Sequence, residues 1–365
     1  QYQKRRMVEV GESVYYGNRL YRDDLELVLS HDSLFERLSG CRVLVTGATG
    51  LIGSFFVDVL MLYNEISGFN VQVFAVSRNK ESLIKRFKTH IGNECFHIIE
   101  YDVTSPLNSR VSFDYIIHAA GNSSPRMFAV DPVGTIMTNI LGTYNLLEYG
   151  CKMGIKRFLF VSSGEVYGQG AEGITGFDET YSGHVDNTNK RACYPNSKRA
   201  AESLCVSYTA QYNIDTVIAR PCHIYGPTMT ENDDRASAQF IRSVLFGNDI
   251  VMKSDGSQLR SYCYVADCVS ALFTVLMKGE TGHAYNIANP NSSITIRTLA
   301  ETIAAISGRN VRFDTPSEIE KSSYNPVTRS VLSVDKLERL GWKANYDITT
   351  GLQRTIEIMA ATNPN

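Results

Sequence analysis

At 365 residues the chain is longer than one compact core usually becomes, so a large unit with a smaller one beside it, and a cleft between them, is the first expectation. With 36 basic against 38 acidic residues, a formal charge of -2 and 43% hydrophobic residues, it reads as an ordinary soluble globule with no electrostatic case for nucleic acid. No stretch approaches ~18 uninterrupted apolar residues and no apolar leader succeeds the basic opening Gln1–Arg6, so no membrane span is expected and the cytosol is the expected compartment.

Residues 1–40 read as an N-terminal extension whose apolar stripe, Leu25, Val28, Leu29, Leu34 and Leu38, suggests short helices packed onto the domain that begins near residue 41. From residue 41, β-rich runs at 41–46, 71–76, 96–101, 115–118, 158–162 and 216–220 alternate with helical patterns at 51–66, 80–90, 131–152, 194–212, 235–247 and 265–278. Alternation of this kind predicts an α/β fold with a doubly wound parallel sheet over 41–222. Gly-Pro at 226–227 and Asn-Pro-Asn at 289–291 loosen the pattern, so 223–365 reads mainly as a smaller α/β substrate lobe, with segments returning to the first sheet. The eight cysteines form no Cys-x-x-Cys pair and have no histidine at a ligand spacing, so neither a metal site nor a disulfide framework is expected.

The first β-run leads into Thr46-Gly47-Ala48-Thr49-Gly50-Leu51-Ile52-Gly53 and then into an apolar helix. Strand, glycines and helix in that order make the pyrophosphate cradle of a Rossmann domain, because backbone must turn tightly and approach the phosphates, whose charge rests on the helix amides. The second strand ends Ser77-Arg78-Asn79, with no carboxylate for the adenosine ribose. That leaves NADP as an alternative to NAD if Arg78 meets a 2′-phosphate, or Arg78 is a solvated surface charge. Asp102-Val103 is placed to hold the adenine, and Ala119-Ala120-Gly121 after the fourth strand is small enough for the cofactor to lie against the sheet.

Tyr194 and Lys198 stand four apart on one helix face, where an ammonium can lower the pKa of a phenol that is otherwise a poor base. Ser163, at the end of the fifth strand, can share the proton of a substrate hydroxyl.

Together with Asp102–Leu107, Ser124-Pro125, Thr138-Asn139, Glu165-Val166-Tyr167-Gly168, Arg191-Ala192-Cys193-Tyr194 and Gly256–Tyr262, these motifs resemble the extended short-chain dehydrogenase/reductase family of nucleotide-sugar epimerases, dehydratases and decarboxylases, from about residue 40 to the end. The strongest likeness is to its UDP-glucuronate decarboxylase (UDP-xylose synthase) branch. The resemblance implies a tightly bound, recycled dinucleotide with further contacts at Leu51, Ile52, Asn139 and Pro221, a UDP-sugar substrate, and a homodimer joined through the helices at 131–152 and 194–212. It implies catalytic roles for Ser163, Glu165, Tyr194 and Lys198, and substrate contacts at Ser124, Arg126, His223, Arg235, Gln239 and Arg260. Plainer roles are open to four of these: Glu165 capping a loop, Arg260 paired with Asp255 or Asp267, His223 in the core and Arg126 solvated.

Two departures matter. Gly164 stands where dehydratases and decarboxylases carry Asp or Ser, and His223 where an Asn is usual. Removing hydride from the sugar's fourth carbon gives a ketone open to three fates. A 6-carboxylate makes it a β-keto acid that loses carbon dioxide, a 6-hydroxyl can be eliminated with an acid's help, and a turned ring takes the hydride back on its other face. Glu165 argues against simple epimerisation and the missing side chain at 164 against dehydration, which favours decarboxylation. A net NADPH-dependent keto-sugar reductase is the alternative that Arg78 supports.

Overall fold

The computed structural model describes residues 12–30, 34–315 and 327–362; the basic opening Gln1–Arg6 lies outside the described residues. Helix α1 (Arg19–Leu29) starts where the Asn18 side chain accepts the Tyr21 amide, and β1 (Arg42–Thr46) comes next. All five residues of the apolar stripe at 25–38 are buried in the main core. The buried Asp24 carboxylate accepts from the Tyr264 and Tyr346 hydroxyls and the Arg354 guanidinium, so the extension is also tied to the last helix.

The chain continues through α2 (Leu51–Ser67), β2 (Gln72–Ser77), α3 (Lys80–Arg86), β3 (Phe96–Glu100) and β4 (Tyr115–His118). Helix α3 stops short of the expected residue 90. Phe87 leaves it for the core, and His90 turns to the fully buried Asp58, which also takes Arg86 and the Tyr21 hydroxyl. A buried carboxylate needs several donors, and that need outweighs the local helical pattern.

Next come α4 (Pro125–Val130), α5 (Pro132–Met153), β5 (Arg157–Val161), α6 (Cys193–Tyr212), β6 (Thr216–Pro221), β7 (His223–Tyr225), α7 (Ala236–Leu245), β8 (Ile250–Met252), β9 (Leu259–Tyr264), α8 (Val265–Lys278) and β10 (Ala284–Ile287). The seven-stranded sheet has the order β10-β6-β5-β4-β1-β2-β3, and every pairing in it is parallel. Strand order reverses between β1 and β4, which opens a crevice at their carboxyl ends. The fold is thus the doubly wound α/β sheet that the alternation predicts.

Past residue 222 the chain builds a second sheet. There β7 and the late strands β11 (Ser293–Thr295) and β13 (Arg329–Ser330) all pair with β9, while β12 (Val311–Phe313) pairs with β8. Strand β10 returns to the edge of the main sheet beside β6. No helix among the described residues is long and apolar enough to cross a membrane.

Candidate active site

The crevice begins at the turn after β1. Gly47 has φ +66°, and a Cβ there would sit 2.7 Å from the Ala119 carbonyl oxygen; a Cβ on Gly53 would sit 2.3 Å from the Gly47 oxygen. Only glycine lets the turn lie this close to β4 and lets α2 start beneath it. Gly50 caps α2 without a side-chain acceptor, so the first-turn amides at Leu51, Ile52 and Gly53 are open to an anion. All four residues line the crevice with Gly47, Ala119, Gly121 and Pro221. A backbone cradle at a helix start, with no room for side chains, fits a dinucleotide pyrophosphate.

Farther along, Asp102 turns its Oδ1 onto the Thr104 amide, 2.9 Å, which with the charge of exposed Arg78 keeps the carboxyl below its ordinary range. The Ser77 hydroxyl accepts from the Asn79 amide. Val103 lies buried under Gly142, and buried Asn139 donates to the Ser197 hydroxyl while its own Oδ1 has no partner among the described residues.

At the other end, β5 delivers Ser162 and Ser163. The Ser162 hydroxyl is taken by Glu202, 2.6 Å, itself paired with Arg220 at 2.7 Å. The Ser163 hydroxyl accepts the Glu165 amide at 3.2 Å and so caps the one-turn helix Gly164–Tyr167. Tyr194 is 6% exposed and stacks on Phe128 of α4, centroids 4.6 Å apart at 19°. Lys198, one turn on, donates to the Val161 carbonyl at 2.8 Å, with its Nζ 5.9 Å from the centre of the Tyr194 ring. The expected lowering of the phenol is corrected here. Burial, then the charge of Glu165, pushes Tyr194 up to about 12, against the pull of the Ser163 hydroxyl, Arg235 and Arg191.

Ser163, Glu165, Tyr194, Lys198, His223 and Arg235 share one cavity with the cradle. Glu165 is not a free loop cap: Arg191 holds it at 3.2 Å. Arg235 grips Asp233. Burial, followed by Arg260 and Arg235, drops His223 to about 3 and keeps its ring neutral. Arg260 meets neither Asp255 nor Asp267. It is 3% exposed, donates to the Leu259 and Val327 carbonyls, and has no carboxylate partner among the described residues. Asp267 instead takes the amides of Asn345 and Tyr346.

Of the expected substrate contacts, the structure leaves Arg260 and three others, Ser124, Arg126 and Gln239, off the cavity walls. Ser124 and the Arg126 amide both donate to Asp234, the Arg126 side chain is exposed, and exposed Gln239 donates to the Asp234 carbonyl. All three brace the loop that presents Arg235. Along the chain Arg191 stands out only as part of a motif and Leu332 not at all, yet the Leu332 Cδ1 would lie 3.1 Å from a Cβ at Gly164. Neither contact has a signature in the sequence.

Burial lowers Lys198 to about 8, and no carboxylate pairs with it among the described residues. Its folded value is below the 10.5 of free lysine, so the buried ammonium costs stability in full below about pH 8, and stability rises from about pH 8 to 10.5 as the folded state loses the proton first. Relative to Lys198→Met, the wild-type protein should gain about 3 kcal/mol over that range. Urea midpoints of the two proteins across that range measure it; a constant gap means that Lys198 stays protonated.

Residues 43–288 match the NAD dependent epimerase/dehydratase family. UDP-glucuronic acid decarboxylase 6 of Arabidopsis thaliana is 36% identical over 314 residues, covering 86% of this chain and 87% of its own length. UDP-glucuronic acid decarboxylase 1 of Xenopus tropicalis is 33% identical over 86% of this chain and 71% of its own. Among solved structures, a UDP-glucose 4-epimerase of Thermotoga maritima with UDP-glucose superposes with a TM-score of 0.75 at 25% identity, covering 88% of this chain and 99% of that one. Cradle, Tyr/Lys pair and likeness over most of the length agree, and the chain belongs, as an enzyme, to the NAD dependent epimerase/dehydratase family.

Proposed function

We propose that the protein decarboxylates UDP-glucuronate, or a close uronate, through a 4-keto intermediate. The reading rests on the decarboxylase relatives and, within the site, on one observation: Gly164 offers no acid, and even a Cβ there would be tight, 3.1 Å from the Leu332 Cδ1. Eliminating a 6-hydroxyl needs such an acid, whereas a β-keto acid loses carbon dioxide without one. The buried guanidinium of Arg260, lacking a carboxylate of its own among the described residues, supplies the charge that an anionic sugar-nucleotide needs.

Gly47, Gly50, Leu51, Ile52 and Gly53 would hold the pyrophosphate of a dinucleotide, whose chemistry would be to take up a hydride and give it back. Tyr194 takes the proton of the 4-hydroxyl, relayed through Ser163, and Lys198 holds the nicotinamide ribose. Exclusion of water around this pair strengthens each of these contacts. Of the two dinucleotides NAD is favoured, because the matching family is NAD dependent and the Arg78 side chain is exposed. The exposed apolar side chains Val133, Met137, Leu141 and Tyr144 of α5 and Val206 and Tyr212 of α6 fit a homodimer packed through those helices.

Incubation with UDP-glucuronate and a trace of either dinucleotide tests the reading. A pentose nucleotide and carbon dioxide should form without net reduced cofactor, faster with NAD, in a preparation that sediments at twice the chain mass. If UDP-glucuronate stays intact while a neutral hexose nucleotide is epimerised or dehydrated, decarboxylation is wrong. If product stops at one turnover per cofactor, the protein is a reductase.

A further inference from the structure

Arg191 belongs to a one-turn helix, Lys190–Ala192, that runs without a break into α6. The Asn189 side chain caps that turn by accepting the Arg191 amide at 2.9 Å, which fixes the backbone three residues before Tyr194. From there the guanidinium reaches in two directions. It donates to Glu165 Oε1 at 3.2 Å, and its Cζ stands 5.5 Å from the centre of the Phe128 ring, the same ring that backs Tyr194. Arg191 lines a second cavity of about 430 Å³, and Glu165, Gly164 and His223 are common to its wall and that of the first.

A surface ion pair of this length would contribute little. This one is mostly covered, with side chains 19% and 25% exposed, and its charges act on the phenol with opposite signs. The groups facing Tyr194 are the Glu165 carboxylate and Ser163 hydroxyl from the end of β5, Arg191 and Lys198 from the α6 segment, and Arg235 ahead of α7. Glu165 disfavours the phenolate, and Arg191 is the cation in contact with that carboxylate.

We propose that Arg191 is a positioning residue that holds Glu165 across the end of β5, toward the fifth and sixth carbons of the sugar, and cancels its charge at Tyr194 and at the substrate's carboxylate. This rests on the decarboxylase reading. In that reaction the proton of the 4-hydroxyl passes to the deprotonated Tyr194 while the hydride of the fourth carbon passes to the dinucleotide. The bond between the fifth and sixth carbons then breaks, its electron pair enters the enolate of the 4-ketone, carbon dioxide departs and a solvent-derived proton is added to the fifth carbon. A misplaced Glu165 affects the second stage first, because it is the anion beside the departing carboxylate.

Single-turnover experiments with Arg191→Gln and Arg191→Lys, loaded with dinucleotide and given stoichiometric UDP-glucuronate, test this. In Arg191→Gln reduced cofactor should appear and persist, carbon dioxide release should slow by about 10²-fold, and the ascending, acid-side limb of oxidation, which reports deprotonation of Tyr194, should move to higher pH, because Glu165 is left uncompensated beside the phenol. Arg191→Lys keeps the charge and should recover most of both. If Arg191→Gln slows oxidation and decarboxylation equally with an unmoved pH profile, Arg191 is only structural, whatever its unfolding midpoint, and the proposal falls. Should the wild-type protein release no carbon dioxide, it is the decarboxylase reading that fails. The pH profile of oxidation, on whichever sugar nucleotide is turned over, then still decides whether Arg191 tunes Tyr194.

Discussion

Replacing Tyr194 by Phe should lower turnover by about 10³-fold or more while leaving dinucleotide affinity nearly unchanged. The ring is buried and stacked on Phe128, so phenylalanine keeps the packing and loses one oxygen. That oxygen lies in the cavity that Ser163 also lines, and in the proposed reaction it takes the proton of the sugar hydroxyl. Lys198 is held by the Val161 carbonyl and not by the phenol, so the ribose contact proposed for it should survive the change. Burial and the charge of Glu165 hold the phenol near 12, so its proposed role as base requires that value to fall when dinucleotide and substrate fill the crevice. Fluorescence titration of dinucleotide beside turnover separates the two effects. Near wild-type turnover in Tyr194→Phe would remove Tyr194 from the chemistry.

The parts of this site that are legible in the sequence are those encoded by neighbours along the chain. The strand-glycine-helix order around Gly47, Gly50 and Gly53 and the four-residue spacing of Tyr194 and Lys198 are local statements, and the structure places both in one cavity. Alternation of strand and helix likewise predicts the parallel sheet, because periodicity reports which face is buried. Contacts between distant segments are beyond its reach. Nothing near Gly164 announces Leu332, and nothing near Arg260 says that it will bind the Val327 carbonyl instead of Asp255 or Asp267. Helix α3 fails for the same reason: Asp58, far back in the chain, draws His90 away. Arg126 and Gln239 are subtler, since their motifs point to the site while the Arg126 amide and the Gln239 side chain bond the loop at Asp234.

Replacing Arg260 by Met should weaken binding of UDP-glucuronate by about 10² to 10³-fold and leave the unliganded protein close to its original stability. The guanidinium is 3% exposed and donates to two carbonyl oxygens, Leu259 at 3.0 Å and Val327 at 2.5 Å. A buried cation without a carboxylate is expensive, and burial accordingly lowers its pKa. Methionine removes that cost, fills most of the volume and leaves two carbonyls without their charged donors, a loss of about 1–3 kcal/mol each that roughly offsets the gain. Binding an anion is different, because there the charge finds the partner that the protein does not supply. Each charge-assisted hydrogen bond to a phosphate or carboxylate is worth about twice a neutral one. Thermal unfolding with and without UDP-glucuronate measures both halves. The wild-type transition should rise with ligand, as it must when only the folded state binds, while that of Arg260→Met should hardly move. A variant that melts far lower without ligand would make Arg260 a clamp between β9 and the segment at Val327. A variant that keeps the full ligand-induced rise would place the anion elsewhere.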